Sequence, residues 1–329
     1  MPKLRLQHHW YRITPLHVVL LPVSFIFRAL VALRRTLYRS GLRASSKLPV
    51  PVIVVGNITV GGSGKTPLTL WLAQQLIEQG WHPGIISRGY GGTARSPQAV
   101  QSGSDPDQVG DETVLMAQRQ LCPVWIGHNR PAVARALLQA HPECDVLLSD
   151  DGLQHYRLQR DVEIAVIDGV RGVGNGFMLP AGPLREPVAR LKQVDAVVIN
   201  GGAIKAGQYA MQLRGEVFYN LLNPDIIAHA ADFHGQKLHA LAGIGHPQRF
   251  FSYLNHLGLQ VHPHSFPDHH RYLPADMNFA DADAILMTEK DAVKCAAFAT
   301  EKCWALRIDA QADPALLQHI LERITSHGR

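Results

Sequence analysis

The run Val54-Val55-Gly56-Asn57-Ile58-Thr59-Val60-Gly61-Gly62-Ser63-Gly64-Lys65-Thr66-Pro67 constrains this chain more than any other segment. An apolar, β-branched strand runs into a glycine-rich turn, and a lysine and a threonine open the helical pattern behind it. Glycines let backbone N–H groups turn inward around an anion, and the N-terminus of the next helix adds its partial positive charge. The spacing is that of the phosphate-binding loop G-x-x-x-x-G-K-[ST], except that Thr59 stands at the first glycine. Gly61 and Gly62 supply the missing flexibility. Thr59, Val60, Gly61, Gly62, Ser63, Gly64, Lys65 and Thr66 are therefore the candidate triphosphate-binding residues. Lys65 would reach the β- and γ-phosphates, and the Thr66 hydroxyl would ligate magnesium.

Such a P-loop predicts an acidic partner at the end of another buried strand. Val146-Leu147-Leu148-Ser149-Asp150-Asp151-Gly152 provides two carboxylates there, on the strand edge where ligands bind in open α/β sheets. Their mutual repulsion is offset by a divalent cation, so Asp150 and Asp151 are candidate magnesium residues. A solvated Asp-Asp-Gly turn is the alternative.

The surrounding pattern agrees. Short apolar runs at 50–55, 84–87, 124–126, 145–148, 164–167 and 196–199 alternate with helical patterns at 67–79, 112–119 and 131–140. Runs that are apolar throughout suit parallel strands covered on both faces, and the order predicts a doubly wound, mostly parallel sheet. The pattern changes over 208–233, after which strands near 237–241, 260–262, 284–287 and 304–308 predict a second, smaller α/β unit. The expected organisation is an N-terminal helical region (1–45), a P-loop core (46–215) and a smaller C-terminal α/β domain (216–329). With 46% hydrophobic and 18% charged residues the chain is a folded protein. Its four cysteines include no C-x-x-C pair, which excludes a zinc ribbon or disulfide framework and suits a reducing compartment. A net charge of +5 is compatible with nucleic acid, an anionic membrane surface or phosphorylated substrates alike.

Residues 13–33 are mostly apolar, yet the longest uncharged run, between His17 and Arg28, is ten residues, against the roughly 20 that a spanning helix needs. Arg34 and Arg35 follow without a small-residue cleavage site, against a secretory signal. On a helix, His17, Ser24, Arg28 and Arg35 fall on one line and the apolar residues fill the rest. That stripe predicts a helix lying in a bilayer interface with its polar line at the headgroups, or one buried against its own core.

Three further segments hold candidate chemistry. Asp111 in Gly110-Asp111-Glu112 is either a helix cap or a carboxylate that accepts a hydroxyl proton. The stretch from His262 to Tyr272 holds four histidines without thiol partners and reads as a surface loop with one functional histidine rather than a metal site. Gly169-Val170-Arg171-Gly172-Val173-Gly174-Asn175-Gly176 follows a strand but opens no helix, which rejects a dinucleotide fingerprint. Beyond it Arg185 and Glu186 form a charged pair facing either substrate or solvent.

Taken in order, the phosphate loop with its Thr59, Ser87-Arg88-Gly89-Tyr90-Gly91-Gly92, Val109-Gly110-Asp111-Glu112, Asp150-Asp151-Gly152-Leu153-Gln154-His155, Leu179-Pro180-Ala181-Gly182-Pro183-Leu184-Arg185-Glu186-Pro187, Phe266-Pro267-Asp268-His269 and Thr288-Glu289-Lys290-Asp291-Ala292-Val293-Lys294 resemble the tetraacyldisaccharide 4′-kinases over nearly the whole chain. The resemblance implies ATP and magnesium as cofactors. It implies transfer of the γ-phosphate to the 4′-hydroxyl of a tetraacylated glucosamine disaccharide 1-phosphate, in lipid A synthesis at the cytoplasmic face of the bacterial inner membrane. It makes Asp111 a catalytic carboxylate acting with His269 (or its neighbour His270), beside Lys65, and gives Arg88, Arg185 and Glu186 to the substrate. Residues 288–294 would approach the nucleotide from the second domain. The N-terminal helix becomes a membrane-docking device, and neither nucleic acid nor an obligate protein partner enters the reading. The rivals are a GTPase of metallochaperone type, against which no Asn/Thr-Lys-x-Asp guanine motif is found at Asn200 or Thr288, and a nucleotide-dependent membrane adaptor.

Overall fold

The computed structural model describes residues 9–325. The strand before the phosphate loop, β1 (Val52–Gly56), is buried at all five positions, as are β2 (Pro83–Ser87) and β5 (Val146–Asp150). Together with β3 (Gln98–Val100), β4 (Val124–Ile126), β6 (Val162–Asp168), β7 (Ala196–Asn200), β8 (Tyr209–Arg214) and β15 (Asp309–Ala312) they form a nine-stranded sheet in the order β15-β8-β7-β6-β1-β5-β2-β4-β3. Pairing is parallel except at the two edge strands, β3 and β15. Helices α2 (Lys65–Glu78), α4 (Asp111–Gln118) and α5 (Arg130–Ala140) cover it. Leu68, Leu72 and Leu76 of α2 pack with Ile53, Val55 and Leu148 in one apolar cluster, while Val133, Ala134 and Leu137 of α5 close another with Val54 and Leu147. The α/β expectation is met.

A second sheet, in the order β10-β9-β14-β13-β11-β12, contains β9 (Val217–Asn220), β10 (Ile227–His229), β11 (Leu238–Ala242), β12 (Val261–Ser265), β13 (Ala284–Thr288) and β14 (Cys303–Leu306). Strands β11, β12, β13 and β14 run parallel. Helix α6 (Pro247–His256) follows β11 and α7 (Glu289–Cys295) follows β13. The expectation of one C-terminal unit over 216–329 is corrected at its end: β15 and α8 (Pro314–Thr325) return to the first sheet. Ala310, Leu316, Ile320 and Ile324 are buried in the same cluster as Leu76 and Val162, because an amphipathic helix settles where an apolar face is still open.

The first helix, α1 (Pro15–Arg39), corrects the expected polar stripe. His17 and Ser24 are its buried residues: the Ser24 hydroxyl donates to the Met178 carbonyl at 2.7 Å, and His17 meets Asn175. The first half of the polar line thus faces the protein's own 174–181 segment, where its hydrogen bonds are satisfied, while Arg28 of the same line is exposed, as are Val18, Val19, Val23, Phe25, Ile26, Leu30 and Leu33. The helix is long and apolar enough to cross a membrane by length and composition.

Truncating Ile320 of α8 to alanine should cost about 2–5 kcal/mol, the usual range for a fully buried aliphatic side chain. Denaturant unfolding measures this, and a cost under about 0.5 kcal/mol would show that α8 is not packed on the first sheet.

Candidate active site

The C-terminal ends of the parallel strands of the first sheet carry the site. After Gly56 the chain turns through residues 57–64 and enters α2 at Lys65. Gly64 caps that helix at φ +93°, and a Cβ there would stand 2.6 Å from the Asn200 amide nitrogen, which donates to the Ser63 carbonyl at 3.1 Å. Only glycine satisfies both demands. The Asn57 side chain spans the turn, donating to the Gly61 carbonyl and the Ser63 hydroxyl, each at 3.3 Å. The first part of the loop is drawn elsewhere. Thr59 bridges to Leu184, and the Val60 N–H donates to the Pro183 carbonyl at 2.8 Å. The Val60 amide therefore differs from the expectation that it faces phosphate. Paired this way, residue 59 needs no positive φ, which is why threonine serves where glycine is usual. The curl open to an anion is 61–66.

Lys65 Nζ lies 3.7 Å from Asp151 Oδ1, and the Arg185 guanidinium reaches Asp151 Oδ2 at 3.1 Å. Burial alone would raise the Asp151 carboxyl, but Lys65 and Arg185 hold it below its ordinary value. Asp150, one residue earlier, accepts a hydrogen bond from Thr69 at 3.2 Å. Burial, with Glu112 and Asp151 adding repulsion, pushes its carboxyl up to about 7. Thr66, at the start of α2, is buried. Crowded, partly uncompensated carboxylates beside a hydroxyl form a hard oxygen set that suits magnesium, an ion usually completed by water and substrate phosphates rather than by an all-protein cage. The described residues hold no group of three His, Cys, Asp or Glu that could hold a metal ion.

Asp111 is buried at the first turn of α4, and Gly110, not Asp111, is the cap. From the second sheet, His269 brings Nδ1 to 3.3 Å from Asp111 Oδ2, and Lys290 of α7 brings Nζ to 3.8 Å. Oδ2 is buried and has no aligned hydrogen-bond donor among the described residues, so these are ion pairs with acceptor capacity to spare. His269 holds a positive φ of +58°, uncommon outside glycine and a mark of functional placement. The Asp111 contact raises the His269 pKa against its partial burial. Burial would raise Asp111, but His269 and Lys290 outweigh it and hold the carboxyl low. Lys290 also contacts Glu112 at 3.2 Å and stands 3.5 Å from His269 Nε2.

Other expected residues are placed as follows. His270 turns away, pairing with Asp276 at 3.0 Å and stacking on Phe266. The histidine-rich stretch is not simply a loop, since 261–265 is the edge strand β12. Glu186 does not face substrate and does not pair with Arg185. It is fully buried, accepting from Gln154 at 2.7 Å and Arg190 at 3.0 Å, as an interior carboxylate must be. Arg88 is exposed, near enough that burial together with Arg130, Arg88 and Arg160 drives the half-buried His155 pKa down to about 3. Sequence reasoning gave Lys290 no role, although it lies in the quoted 288–294 segment, and passed over Asp168 and Arg171, whose signal was only a carboxylate ending a strand and an arginine in the loop behind it.

The tetraacyldisaccharide-1-P 4'-kinase family model matches residues 16–325. The tetraacyldisaccharide 4'-kinase of Methylobacillus flagellatus is 54% identical over 320 residues, covering 97% of this chain and 96% of its own. That of an Azoarcus species is 51% identical over 327 residues, covering 98% and 95%. The crystal structure of an "apo" form LpxK from Aquifex aeolicus in complex with ATP superposes with a TM-score of 0.81 at 28% identity, covering 94% of this chain and 99% of that one. The GTPase alternative finds no support in these relatives. By the reach of the family model and the identity of its relatives, the chain belongs to the tetraacyldisaccharide-1-P 4'-kinase family.

Proposed function

We propose that the chain transfers the γ-phosphate of ATP to the 4′-hydroxyl of a tetraacylated glucosamine disaccharide 1-phosphate, at the cytoplasmic face of the bacterial inner membrane. The observation that carries this reading is the meeting of Asp111 from the first sheet with His269 from the second, 3.3 Å apart, beside a curled phosphate loop.

The backbone curl at 61–66 and the α2 N-terminus bind the phosphates, and Lys65 adds a point charge at their terminal end. Thr66, Asp151 and Asp150 would hold magnesium, which when bound spreads the charge of the transferring group. The acceptor hydroxyl loses its proton to the Asp111–His269 pair as its oxygen bonds to the γ-phosphorus. The bond from that phosphorus to ADP breaks, and the pair later releases the proton to solvent. Asp111 supplies an ionised, undercommitted oxygen, and His269 spreads the charge of the proton received. Lys290 fixes the orientation of both.

The exposed apolar face of α1 supports membrane docking. Each lipid methylene drawn into water costs about 0.8 kcal/mol, so the enzyme comes to the bilayer rather than extracting four acyl chains. Phe27 and Val31 of the same helix pack with Ile58, Met178 and Leu184, next to the phosphate loop.

Incubation with ATP, magnesium and the disaccharide 1-phosphate in detergent should add one phosphate to the lipid by mass analysis, and Lys65→Ala should lower kcat at least about a hundredfold through lost transition-state stabilisation. ATP binding without transfer would favour an adaptor instead. In the pH profile, a base must be unprotonated and the Asp111 contact raises the His269 pKa above its ordinary value, so activity should fall on acidification through that raised value. Asp111→Asn removes its largest raising influence, so the acid limb should move to lower pH while the plateau drops. An unmoved limb would separate His269 from the chemistry. Phe25→Asp with Ile26→Asp should shift the chain from floated anionic vesicles to the soluble fraction without changing ATP affinity. Continued flotation would rule out α1 as the anchor.

A further inference from the structure

The glycine-rich segment after β6 leaves one side chain facing the phosphate loop. Arg171 hydrogen-bonds the Gly62 carbonyl, and its Nη1 would stand 3.1 Å from a Cβ placed on Gly61. The guanidinium therefore lies across the mouth of the loop, over the two glycines that precede Ser63. It is anchored, not loose. Its Nε donates to Asp168 Oδ2 at 2.9 Å, and Asp168 Oδ1 accepts the backbone N–H groups of Val170 and Arg171, each at 3.0 Å. Among the described residues Nη1 has no protein acceptor, so one arm of the fork is free above the loop.

Asp168 is itself shared. Arg249, in the first turn of α6 and hence part of the second sheet's layer, grips both its oxygens at 2.5 and 2.9 Å. Two guanidiniums thus converge on one carboxylate whose side chain is only 3% exposed. One positive charge is left over at the rim of a cradle built for anions. A carbonyl oxygen is a neutral partner for a guanidinium, whereas a phosphate oxygen brings a full opposite charge and suits the planar fork of the guanidinium. Arg249 follows the 243–246 turn, and Gly243 in that turn accepts the His269 N–H at 3.2 Å. The residues that bear on Asp168 and those that place His269 share one short connection.

We propose that Arg171 is a phosphate-contacting residue of the transfer reaction. It exchanges the Gly62 carbonyl for the terminal phosphate of bound ATP, with Asp168 and Arg249 as the residues that position it. The assignment rests on the kinase reading above and adds a cation supplied by the chain's own loop, a role that guanidinium groups fill in phosphoryl transfer by neutralising charge on the transferring group. Because Arg249 belongs to the second layer, Arg171 is fully braced only when that layer sits against the first. Closure of the two layers and readiness of the cation are then one event.

The test compares ATP and ADP binding, with magnesium and without lipid, by calorimetry on the full chain and its variants. Arg171→Ala should weaken ATP about tenfold while ADP changes less than about twofold, because ADP lacks the phosphate in question. Arg171→Lys should recover part of the ATP preference through its charge. Arg249→Ala should weaken ATP in the same direction, by about threefold. Equal weakening of the two nucleotides, including loss of both, would overturn the proposal and leave Arg171 a brace of the loop; unchanged binding would overturn it as well. The ATP preference of Arg249→Ala staying at the unsubstituted value would sink the positioning role. Lipid phosphorylation by the unsubstituted chain is run alongside. Failure there defeats the kinase reading, whereas normal transfer with unselective Arg171→Ala binding defeats only this proposal.

Discussion

A carboxylate taken out of water must find a positive partner, and in this chain the partners of the key carboxylates come from the other sheet. Asp111 is met by His269 and Lys290, Asp168 by Arg249, and Glu289 of the second layer by Arg119 of the first at 2.9 Å. Removing one member of such a buried pair typically costs about 3–5 kcal/mol, since the other is left charged and unpaired. The same contacts that hold two sheets together therefore fix the electrostatics of the groove between them. Neither sheet alone keeps Asp111 low and His269 high. The acid–base pair is a property of the assembled chain.

A second coupling runs the opposite way, from the phosphate loop out to the surface. Leu184 and Pro183 pin the start of the loop, the Met178 carbonyl receives Ser24 of α1, and Phe27 and Val31 pack on the same cluster as Ile58. Segment 174–187 thus has the phosphate loop on one side and the apolar helix on the other. If α1 docks on a bilayer as proposed, this connection would hold the phosphate loop at a fixed height above it. Two of the polar residues of α1 that resembled a headgroup stripe, His17 and Ser24, are spent instead on this internal docking, while Arg28 stays exposed.

What could be read from the sequence was whatever chemistry is written in consecutive residues. The strand, glycine turn, Lys65 and Thr66 form one continuous stretch, and the apolar strands of the first sheet have buried faces on both sides, so their signal is strong. The resemblance, not local pattern, singled out Asp111 and His269. Strands β3, β8, β9, β10 and β15 were missed because short or half-exposed segments such as 209–214 carry little apolar contrast. The return of β15 and α8 to the first sheet is a matter of topology, which no window of residues encodes. Glu186 was misread for a related reason: adjacent charges suggest a pair, yet in the bend at 185–186 the two side chains part, one into the core with Arg190 and the other out to Asp151.

Asp150 and Asp151 show the same principle inside the site. By sequence they are equivalent, two carboxylates on one strand end. Asp150 completes the buried strand β5 and turns under α2 to Thr69, where burial dominates and its proton is held up to about 7. Asp151 takes the first step out of the strand at φ +47°, a conformation that aspartate tolerates better than most residues, and so swings toward Lys65 and Arg185. One backbone angle separates a carboxylate set beneath the helix from one facing the phosphate lysine. If the two held a divalent ion as proposed, Asp151 would offer an ionised oxygen and Asp150 a carboxyl that the added positive charge would favour in its ionised form. The pair that looked redundant in the sequence is thus two groups with different ground states, made so by a single turn of the chain.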